Sequence, residues 1–379
     1  MLFVTPSIDE REARVIVQVD QLRNQLSYRL HEPRRWSGSL RRLSLARAVQ
    51  GSNSIEGYNA SLDDVAAAAD GNEPFDASGE TLQALRGYQQ AMTYVLQLAN
   101  DPAFVYSEQL LKSLQFMMTS YDLGKRPGQW RAGSIFVRND ATGDVVYEGP
   151  DVELVSPLME QLVLRLNTTT TEAPIVSAAM AHLNLVMIHP FRDGNGRMAR
   201  CLQTLVLTRE VTLSPIFCSV EEYLGRNTQN YYHVLGEVGG GAWLPERDAR
   251  PWLRFMLTAH LRQARTMLIR ARESEELWDV LERYVTKAGL PERNVSALFD
   301  AAIGLRVRNS SYRSLLGNEI SDQVASRDLK SLVDAGLLQA HGEKRGRFYS
   351  AADSVRAARV EVRARRSPTD NGDPFVDAA

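Results

Sequence analysis

Most of the side chains that could do chemistry lie in one twelve-residue run. From His189 to Arg200 the chain reads HPFRDGNGRMAR. His189 follows an apolar helical stretch and is placed to take a proton from an attacking hydroxyl group. Asp193 offers a hard carboxylate of the kind that binds Mg²⁺ together with substrate phosphates. The run therefore predicts a general base beside a metal ligand.

Two arginines follow a glycine-rich bend at helical spacing. The bend is Gly194-Asn195-Gly196, whose backbone N–H groups, with the N-terminus of the next helix, can form a nest for an anion. Arg197 and Arg200 share one helix face, so both can reach the outer phosphates of a nucleotide. Taken singly, these residues have plainer interpretations: a capping histidine, a turn, a solvated helix face. Their coincidence within twelve residues favours nucleotide chemistry.

The elements that must position this run are mostly helices, because apolar residues recur at helical spacing over most of the chain. The candidate helices around the run cover Val152 to Leu166, Ala173 to Ile188, Gly196 to Arg209, Thr228 to Val238 and Pro251 to Arg272. The main exception is Ser134 to Glu148, where two β-prone runs flank the turn-forming residues Asn139 to Gly143. The sequence thus predicts a mainly α-helical protein with one β-hairpin near the candidate site.

Composition narrows the class of protein. The chain has 379 residues, enough for two or three domains, with 44% hydrophobic and 24% charged residues. A formal net charge of −2 means that any nucleic-acid surface must be local. No stretch approaches the ~18 apolar residues of a membrane span, so we expect neither secretion nor insertion. The two cysteines, Cys201 and Cys218, fit buried small side chains and a reducing cytoplasm.

The run resembles the signature of the Fic family, H-P-F-x-[D/E]-G-N-G-R-x-x-R. All nine fixed positions agree: His189, Pro190, Phe191, Asp193, Gly194, Asn195, Gly196, Arg197 and Arg200. Gly128-Gln129-Trp130-Arg131 resembles the family's G-x-[W/Y]-R element, and the hairpin lies where the family's flap belongs. The resemblance covers roughly Thr81 to Gly241 and implies a Fic-type helical core.

The resemblance also implies an activity, the transfer of AMP from ATP to a Ser, Thr or Tyr hydroxyl group of a target protein. By that carry-over His189 is the base and Asp193 the Mg²⁺ ligand. The implied phosphate-binding residues are Gly194, Asn195, Gly196, Arg197 and Arg200. Pro190 and Phe191 are expected to be structural. The kinase-like Doc branch has Lys at the position of Gly194, so AMP transfer is favoured over phosphate transfer.

Two further stretches resemble Fic elements that surround the nucleotide. Tyr231 and Tyr232 resemble a family stretch that walls the adenine pocket, although core packing is an equal alternative. The hairpin edge is expected to accept an extended target segment as an added strand, the alternative being a plain surface ribbon.

A built-in inhibitor is predicted near the N-terminus. Ser52 to Gly57 reads SNSIEG and resembles the Fic inhibitory pattern [S/T]-x-x-x-E-[G/N]. The resemblance implies that Glu56 pairs with Arg200 and removes the partner of the ATP γ-phosphate, with Ser52 orienting Glu56 and Gly57 ending the motif. The alternatives are that Ser52 and Glu56 are ordinary exposed residues on a helix surface and that Gly57 is an ordinary helix C-cap.

The C-terminal part resembles a winged helix-turn-helix. Tyr312 to Leu316 and Ser321 to Ala335 form its two predicted helices, and a wing surrounds Glu343 to Gly346. From Glu292 to Arg366 there are 14 Lys plus Arg against 9 Asp plus Glu. DNA binding and protein contacts both stay open for this unit.

The predicted organisation has five parts. These are an N-terminal helical region with the inhibitory motif (1–80), a Fic core (81–245), connecting helices (246–289), a winged-helix unit (290–366) and a flexible tail (367–379). The predicted function is an Mg²⁺-dependent protein adenylyltransferase that uses ATP and is autoinhibited by Glu56. The alternatives are a de-AMPylase with the same site and a nucleotide-sensing DNA-binding regulator. Self-modification and a homodimer are further options, and we expect a cytoplasmic protein without membrane contacts.

Overall fold

Helices form most of the chain, as the apolar periodicity predicts. The structure is a computed structural model that describes all residues except 32–35, 70, 72–73, 75, 99–100, 139–141, 169–170, 211–212, 367–371 and 377–379. The first helices are α1 (Glu10–His31), α2 (Ser37–Ile55), α3 (Leu62–Ala69), α4 (Gly79–Leu98) and α5 (Glu108–Thr119). The middle of the chain forms α6 (Val152–Asn167), α7 (Pro174–Ile188), α8 (Asn195–Glu210), α9 (Glu221–Arg226), α10 (Thr228–Gly239) and α11 (Arg250–Lys287). The last helices are α12 (Asn294–Ala302), α13 (Asn309–Leu315), α14 (Asp322–Asp334) and α15 (Asp353–Ala364).

The strands of the described residues form two small antiparallel sheets. One pairs β1 (Phe136–Arg138) with β2 (Val145–Glu148), and the other pairs β3 (Leu338–His341) with β4 (Phe348–Ala351). The prediction of a mainly α-helical fold is confirmed. No helix of the described residues is both long and apolar enough to cross a membrane.

The centre of the core is the pair α7 and α8, joined by the loop that carries the predicted site. Helix α7 is apolar on nearly all sides, and such a helix must be surrounded by others. It begins with Pro174 at its first turn and ends before His189, which adopts a left-handed conformation with φ 51°. Trp252 of α11 reaches α7 and donates from Nε1 to the carbonyl of Ala179 at 2.8 Å.

Helix α11 is longer than the sequence predicts. The sequence predicts that it ends at Arg272, whereas the helix continues without a break to Lys287. Buried Leu277, Trp278 and Leu281 keep the apolar stripe in phase, and no Gly or Pro interrupts the chain there. The connection over 246–289 is therefore one helix rather than several.

The predicted hairpin is present, and its strands pair Phe136 with Glu148 and Val137 with Tyr147. Residues 139–141 of its predicted turn lie outside the described residues. Buried Tyr147 donates from its hydroxyl group to the carbonyl of Met187 at 2.7 Å. This bond attaches the hairpin to the end of α7, next to the loop.

The C-terminal unit contains α12 to α15 with the β3–β4 hairpin. Ala325, Leu329 and Leu332 of α14 are buried, and Gln323 and Lys330 are exposed. Its assignment as a winged helix-turn-helix stays a prediction.

Part of the tail differs from the prediction of flexibility. Residues 372–376 are described, and Phe375 is buried with its ring 5.1 Å from the Arg254 guanidinium. An aromatic ring stacked on a cation explains why this short segment is held against α11.

Candidate functional site

The predicted base lies where the loop leaves α7. His189 is partly buried, and its Nδ1 lies 3.1 Å from the carbonyl of Val186. Because a carbonyl can only accept, Nδ1 carries the proton and Nε2 keeps its lone pair. Burial lowers the pKa of His189, so the neutral ring predominates at pH 7. The geometry thus prepares Nε2 to accept a proton.

Buried hydrogen bonds hold the loop itself. Asn195 donates to the carbonyl of Phe191 and accepts from its backbone N–H, both at 2.8 Å. Its side chain is therefore used as a brace, and only its backbone N–H remains to serve an anion. Phe191 is fully buried, with its ring 4.8 Å from Trp130, which confirms its structural role.

Arg131, from the G-x-[W/Y]-R element, joins the loop to the hairpin side. Its Nε donates to the carbonyl of His189 at 3.0 Å, and its backbone N–H donates to Pro190 at 2.8 Å. Buried Gln115 braces the other end by donating to the carbonyl of Asp193 at 2.9 Å. These contacts fix the backbone around the base before any ligand binds.

The two arginines of α8 line the far side of the loop. Arg197 and Arg200 are each 1% exposed, although they are cations. Among the described residues, Nε and Nη1 of Arg197 and Nη1 of Arg200 are buried without a hydrogen-bond partner. Leaving such donors unpaired is costly, and an anion such as phosphate would satisfy them. The arrangement therefore points to an anion site at the start of α8.

The predicted contact between Glu56 and Arg200 is present. Glu56 follows the end of α2 and its Oε1 lies 2.6 Å from Nη2 of Arg200. Burial alone would lower the pKa of Arg200, but Glu56, together with Tyr231 and Tyr88, outweighs burial and raises that pKa. A Cβ at Gly196 would collide with the same carboxylate oxygen and would push Glu56 out of its present position.

Ser52 has a different partner from the predicted one. Its hydroxyl oxygen accepts from Nε of Arg200 at 2.8 Å, and its carbonyl accepts from Nη2 at 2.9 Å. Ser52 therefore orients the arginine rather than Glu56. Helix α2 approaches this closely because Gly51 meets Gly225 of α9, where a Cβ on Gly225 would lie 2.7 Å from the Gly51 Cα.

Asp193 lies beside a cation that the sequence analysis missed. Its Oδ1 accepts from the Gly194 N–H at 2.6 Å, and its Oδ2 lies 3.0 Å from Nζ of Lys125. Burial would raise the pKa of Asp193, but the neighbouring Lys125 and Arg197 outweigh burial and lower it. Asp193 is thus ionised and available to a cation. The only signal in the sequence was a basic pair, Lys125-Arg126, in a loop 68 residues away.

A second missed residue is Tyr58. Its ring lies over Arg197, with the guanidinium carbon 5.2 Å from the ring centroid. Its hydroxyl group donates to Oε1 of Glu80 at 2.9 Å and lies 3.2 Å from the hydroxyl of Tyr121. The segment after α2 therefore contacts both arginines, Arg200 through Glu56 and Arg197 through Tyr58.

The two tyrosines predicted for the adenine pocket separate in the structure. Tyr231 is 1% exposed, and its hydroxyl lies 2.9 Å from Nε2 of the buried His182. Its packing is that of a core residue, which was the equal alternative. Tyr232 is 49% exposed and donates to the carbonyl of Ile55 at 3.1 Å, so it remains the candidate pocket residue.

The described residues, those of the signature included, hold no group of three or more His, Cys, Asp or Glu side chains that could bind a metal ion. Cys201 and Cys218 are free and buried, and burial raises the pKa of both thiols, as expected for small core side chains.

The central part of the chain matches a known protein family. Residues 106–207, which run from just before α5 into α8, match the Fic/DOC family model. The segment with Glu56 and Tyr58, helix α11 and the C-terminal unit lie outside that match.

Curated relatives are similar over the same part. Protein adenylyltransferase fic-1 of Caenorhabditis elegans is 38% identical over 109 residues, which are 27% of this chain and 19% of the relative. Protein adenylyltransferase Fic of Drosophila yakuba is 36% identical over 132 residues, 34% of this chain and 23% of the relative. The similarity thus spans about a fifth of the length of these relatives.

Solved structures are similar in fold over a larger part of the chain. A Fic family protein from Desulfovibrio desulfuricans G20 has a TM-score of 0.59 at 22% identity and covers 92% of this chain and 98% of its own. A Fic-1 fragment from C. elegans has a TM-score of 0.54 at 21% identity, with 68% and 72% covered. These similarities show that the chain has the Fic fold.

Proposed function

We propose that this chain, whose residues 106–207 form a Fic/DOC family domain, is a protein adenylyltransferase. The observation that carries the proposal is a pair of buried arginines, each with at least one guanidinium donor that has no hydrogen-bond partner among the described residues, beside a histidine whose Nε2 carries no proton. Buried, unpaired cationic donors fit a polyphosphate, and a neutral imidazole fits a general base. The names of the relatives favour AMP transfer over AMP removal and over a DNA-binding regulator.

In the proposed reaction His189 acts on the target's hydroxyl group. Nε2 accepts the hydroxyl proton while the oxygen attacks the α-phosphorus of ATP. A new O–P bond forms, the bond between the α-phosphorus and the bridging oxygen breaks, and pyrophosphate leaves with that electron pair. His189 is held by Arg131 and by the end of α7, so its ring needs little rearrangement on reaction.

The arginines and the start of α8 neutralise the phosphates. Arg197 and Arg200 offer forked donors, and the first N–H groups of α8 add the positive end of the helix dipole. Gly194 has φ 79°, a conformation that brings the backbone close to the ligand without a side chain in between.

Asp193 is the residue that would hold Mg²⁺. It is a single ionised carboxylate with 32% exposure, which suits a metal that is bound by one carboxylate and the substrate phosphates. When bound, Mg²⁺ would supply charge neutralisation at the phosphates.

We further propose that Glu56 inhibits this reaction. Its carboxylate occupies Arg200 and the space above Gly196, both of which an outer phosphate needs. ATP then lacks its guanidinium partner and the room for a productive pose. A Ser, Thr or Tyr hydroxyl group of a target protein as acceptor and a cytoplasmic location stay predictions, and a homodimer and DNA contacts of the C-terminal unit stay open alternatives.

Intact-mass spectrometry tests the proposal. The purified wild type and the Glu56→Gly variant are each incubated with ATP and Mg²⁺. Each protein is also added to a lysate together with labelled ATP and Mg²⁺. We expect covalent AMP on the variant or on a lysate protein, and its absence in Glu56→Gly with His189→Ala. An unmodified Glu56→Gly protein together with an unlabelled lysate would contradict AMP transfer.

A further inference from the structure

Both oxygens of the Asp193 carboxylate have partners within the chain. Oδ1 accepts from the Gly194 N–H at 2.6 Å, and Oδ2 lies 3.0 Å from Nζ of Lys125. Lys125 ends the short 3-10 turn Leu123–Lys125 that follows α5. Nη2 of Arg197 lies 3.9 Å from the same oxygen. A metal ion that uses Oδ2 therefore has to displace the nearer cation, the ammonium group, because like charges at one carboxylate oxygen repel each other.

On its other side Lys125 is held by Glu80 of α4, which the segment that covers the arginines also contacts. Its Nζ donates to Oε1 of Glu80 at 2.9 Å, and the same oxygen accepts from the hydroxyl of Tyr58 at 2.9 Å. Tyr58 follows Glu56 by two residues, and its ring covers Arg197. One oxygen of Glu80 thus links the inhibitory segment to the partner of Asp193.

We propose that Lys125 is a positioning residue that occupies the metal-binding oxygen of Asp193 in the nucleotide-free protein, and that Tyr58, through Glu80, holds it there. The inference rests on the proposed function, since it assigns Asp193 to the metal that accompanies ATP. The inhibitory segment then acts at two places, on Arg200 through Glu56 and on the metal site through Tyr58 and Lys125. Neither Tyr58 nor Lys125 touches the substrate in this role.

The test measures binding rather than turnover. In a Glu56→Gly background, the affinity for α,β-methylene-ATP is measured by calorimetry along a Mg²⁺ titration. Lys125→Met should lower the Mg²⁺ concentration at which the affinity for the analogue reaches half of its maximal increase. We expect a decrease of roughly three- to tenfold, because a partly buried ion pair no longer competes with Mg²⁺ for the carboxylate. Tyr58→Phe keeps the ring on Arg197 but removes the bond to Glu80, so it should shift the Mg²⁺ requirement in the same direction by less.

Lys112→Met is the matched control. Lys112 is also a lysine near the loop, but it lies 3.5 Å from Glu108 and over the ring of Trp130. A Lys125→Met protein that needs as much Mg²⁺ as the control, or more, would overturn the inference. Thermal unfolding of each variant checks that the fold is retained. Lys125→Gln provides a second replacement of the lysine, in this case by a polar uncharged residue.

Asp193→Asn separates this inference from the proposed function. If that change leaves the Mg²⁺ requirement unaltered, both the metal site and the role of Lys125 are wrong. If it raises the requirement while Lys125→Met does not lower it, only the role of Lys125 is wrong.

Discussion

The loop between α7 and α8 and the segment that follows α2 meet at the same two arginines, but they are held differently. The loop is fixed by bonds to its backbone, a buried one from Asn195 at the start of α8 and a partly buried one from Arg131. The segment is held at the site through side chains, Glu56 on Arg200 and Tyr58 on Glu80, and both carboxylates are partly exposed. We therefore expect that the segment can leave without disturbing the loop, so that the loop acts as a scaffold and the segment as a removable cover.

The largest expected effect concerns His189, in the loop between α7 and α8. His189→Ala should lower AMP transfer by about 10²- to 10⁴-fold, the usual contribution of a general base, while the fold is kept. The measurement is labelled AMP incorporation in the Glu56→Gly background, together with thermal unfolding. His233→Ala, an exposed histidine on α10, is the control and should retain full activity. Equal rates in the two variants would remove His189 from the mechanism.

The next effect tests the cover. Glu56→Gly should raise auto-modification by roughly 10- to 100-fold, because a charge-assisted contact becomes available to the γ-phosphate. The variant with both Glu56→Gly and Arg200→Ala should lose this gain, since the freed contact no longer exists. Incorporation of labelled AMP into the four proteins of this cycle is the measurement. If the double variant keeps the full gain, Glu56 acts through another residue.

A smaller change should loosen the scaffold itself. Asn195→Ala removes two buried hydrogen bonds and leaves the Phe191 backbone unpaired, at a cost of roughly 2 to 3 kcal/mol in the free energy of unfolding. Asn227→Ala, which loses one partly buried bond to the Tyr223 carbonyl, should cost about 1 kcal/mol. Urea denaturation compares the two. A cost at Asn195 no larger than at Asn227 would show that the loop does not depend on this brace.

The smallest effect concerns pH. Burial lowers the pKa of His189, so its base form persists below the ordinary histidine range near about 6.5. The pKa of Asp193 is also lowered, so the carboxylate stays ionised in the same window. The auto-modification rate of Glu56→Gly should therefore stay constant from neutral pH down through that range and fall only on its acid side. An acid limb centred at or above pH 7 would contradict the burial of the base.

The sequence predicted the parts of the site whose partners are near in the chain. Helix ends, the glycine bend, and the spacing of Arg197 and Arg200 follow from local periodicity and backbone freedom, and α7 and α8 begin and end within one residue of the predicted bounds. The burial of Phe191 also follows from a large apolar side chain in a polar loop. The pairing of Glu56 with Arg200 spans 144 residues and was reached by resemblance to a family pattern, not by local chemistry.

Only the tertiary structure decided the contacts between side chains that are distant in sequence. Lys125 meets Asp193, Tyr58 meets Glu80 and Arg197, and Ser52 turns to Arg200 instead of Glu56. Tyr231 and Tyr232 are adjacent and identical in type, yet one lies in the core and the other at the surface. No local pattern separates such cases, because a side chain's partner depends on which helices pack against it, and that packing is set by the whole apolar core.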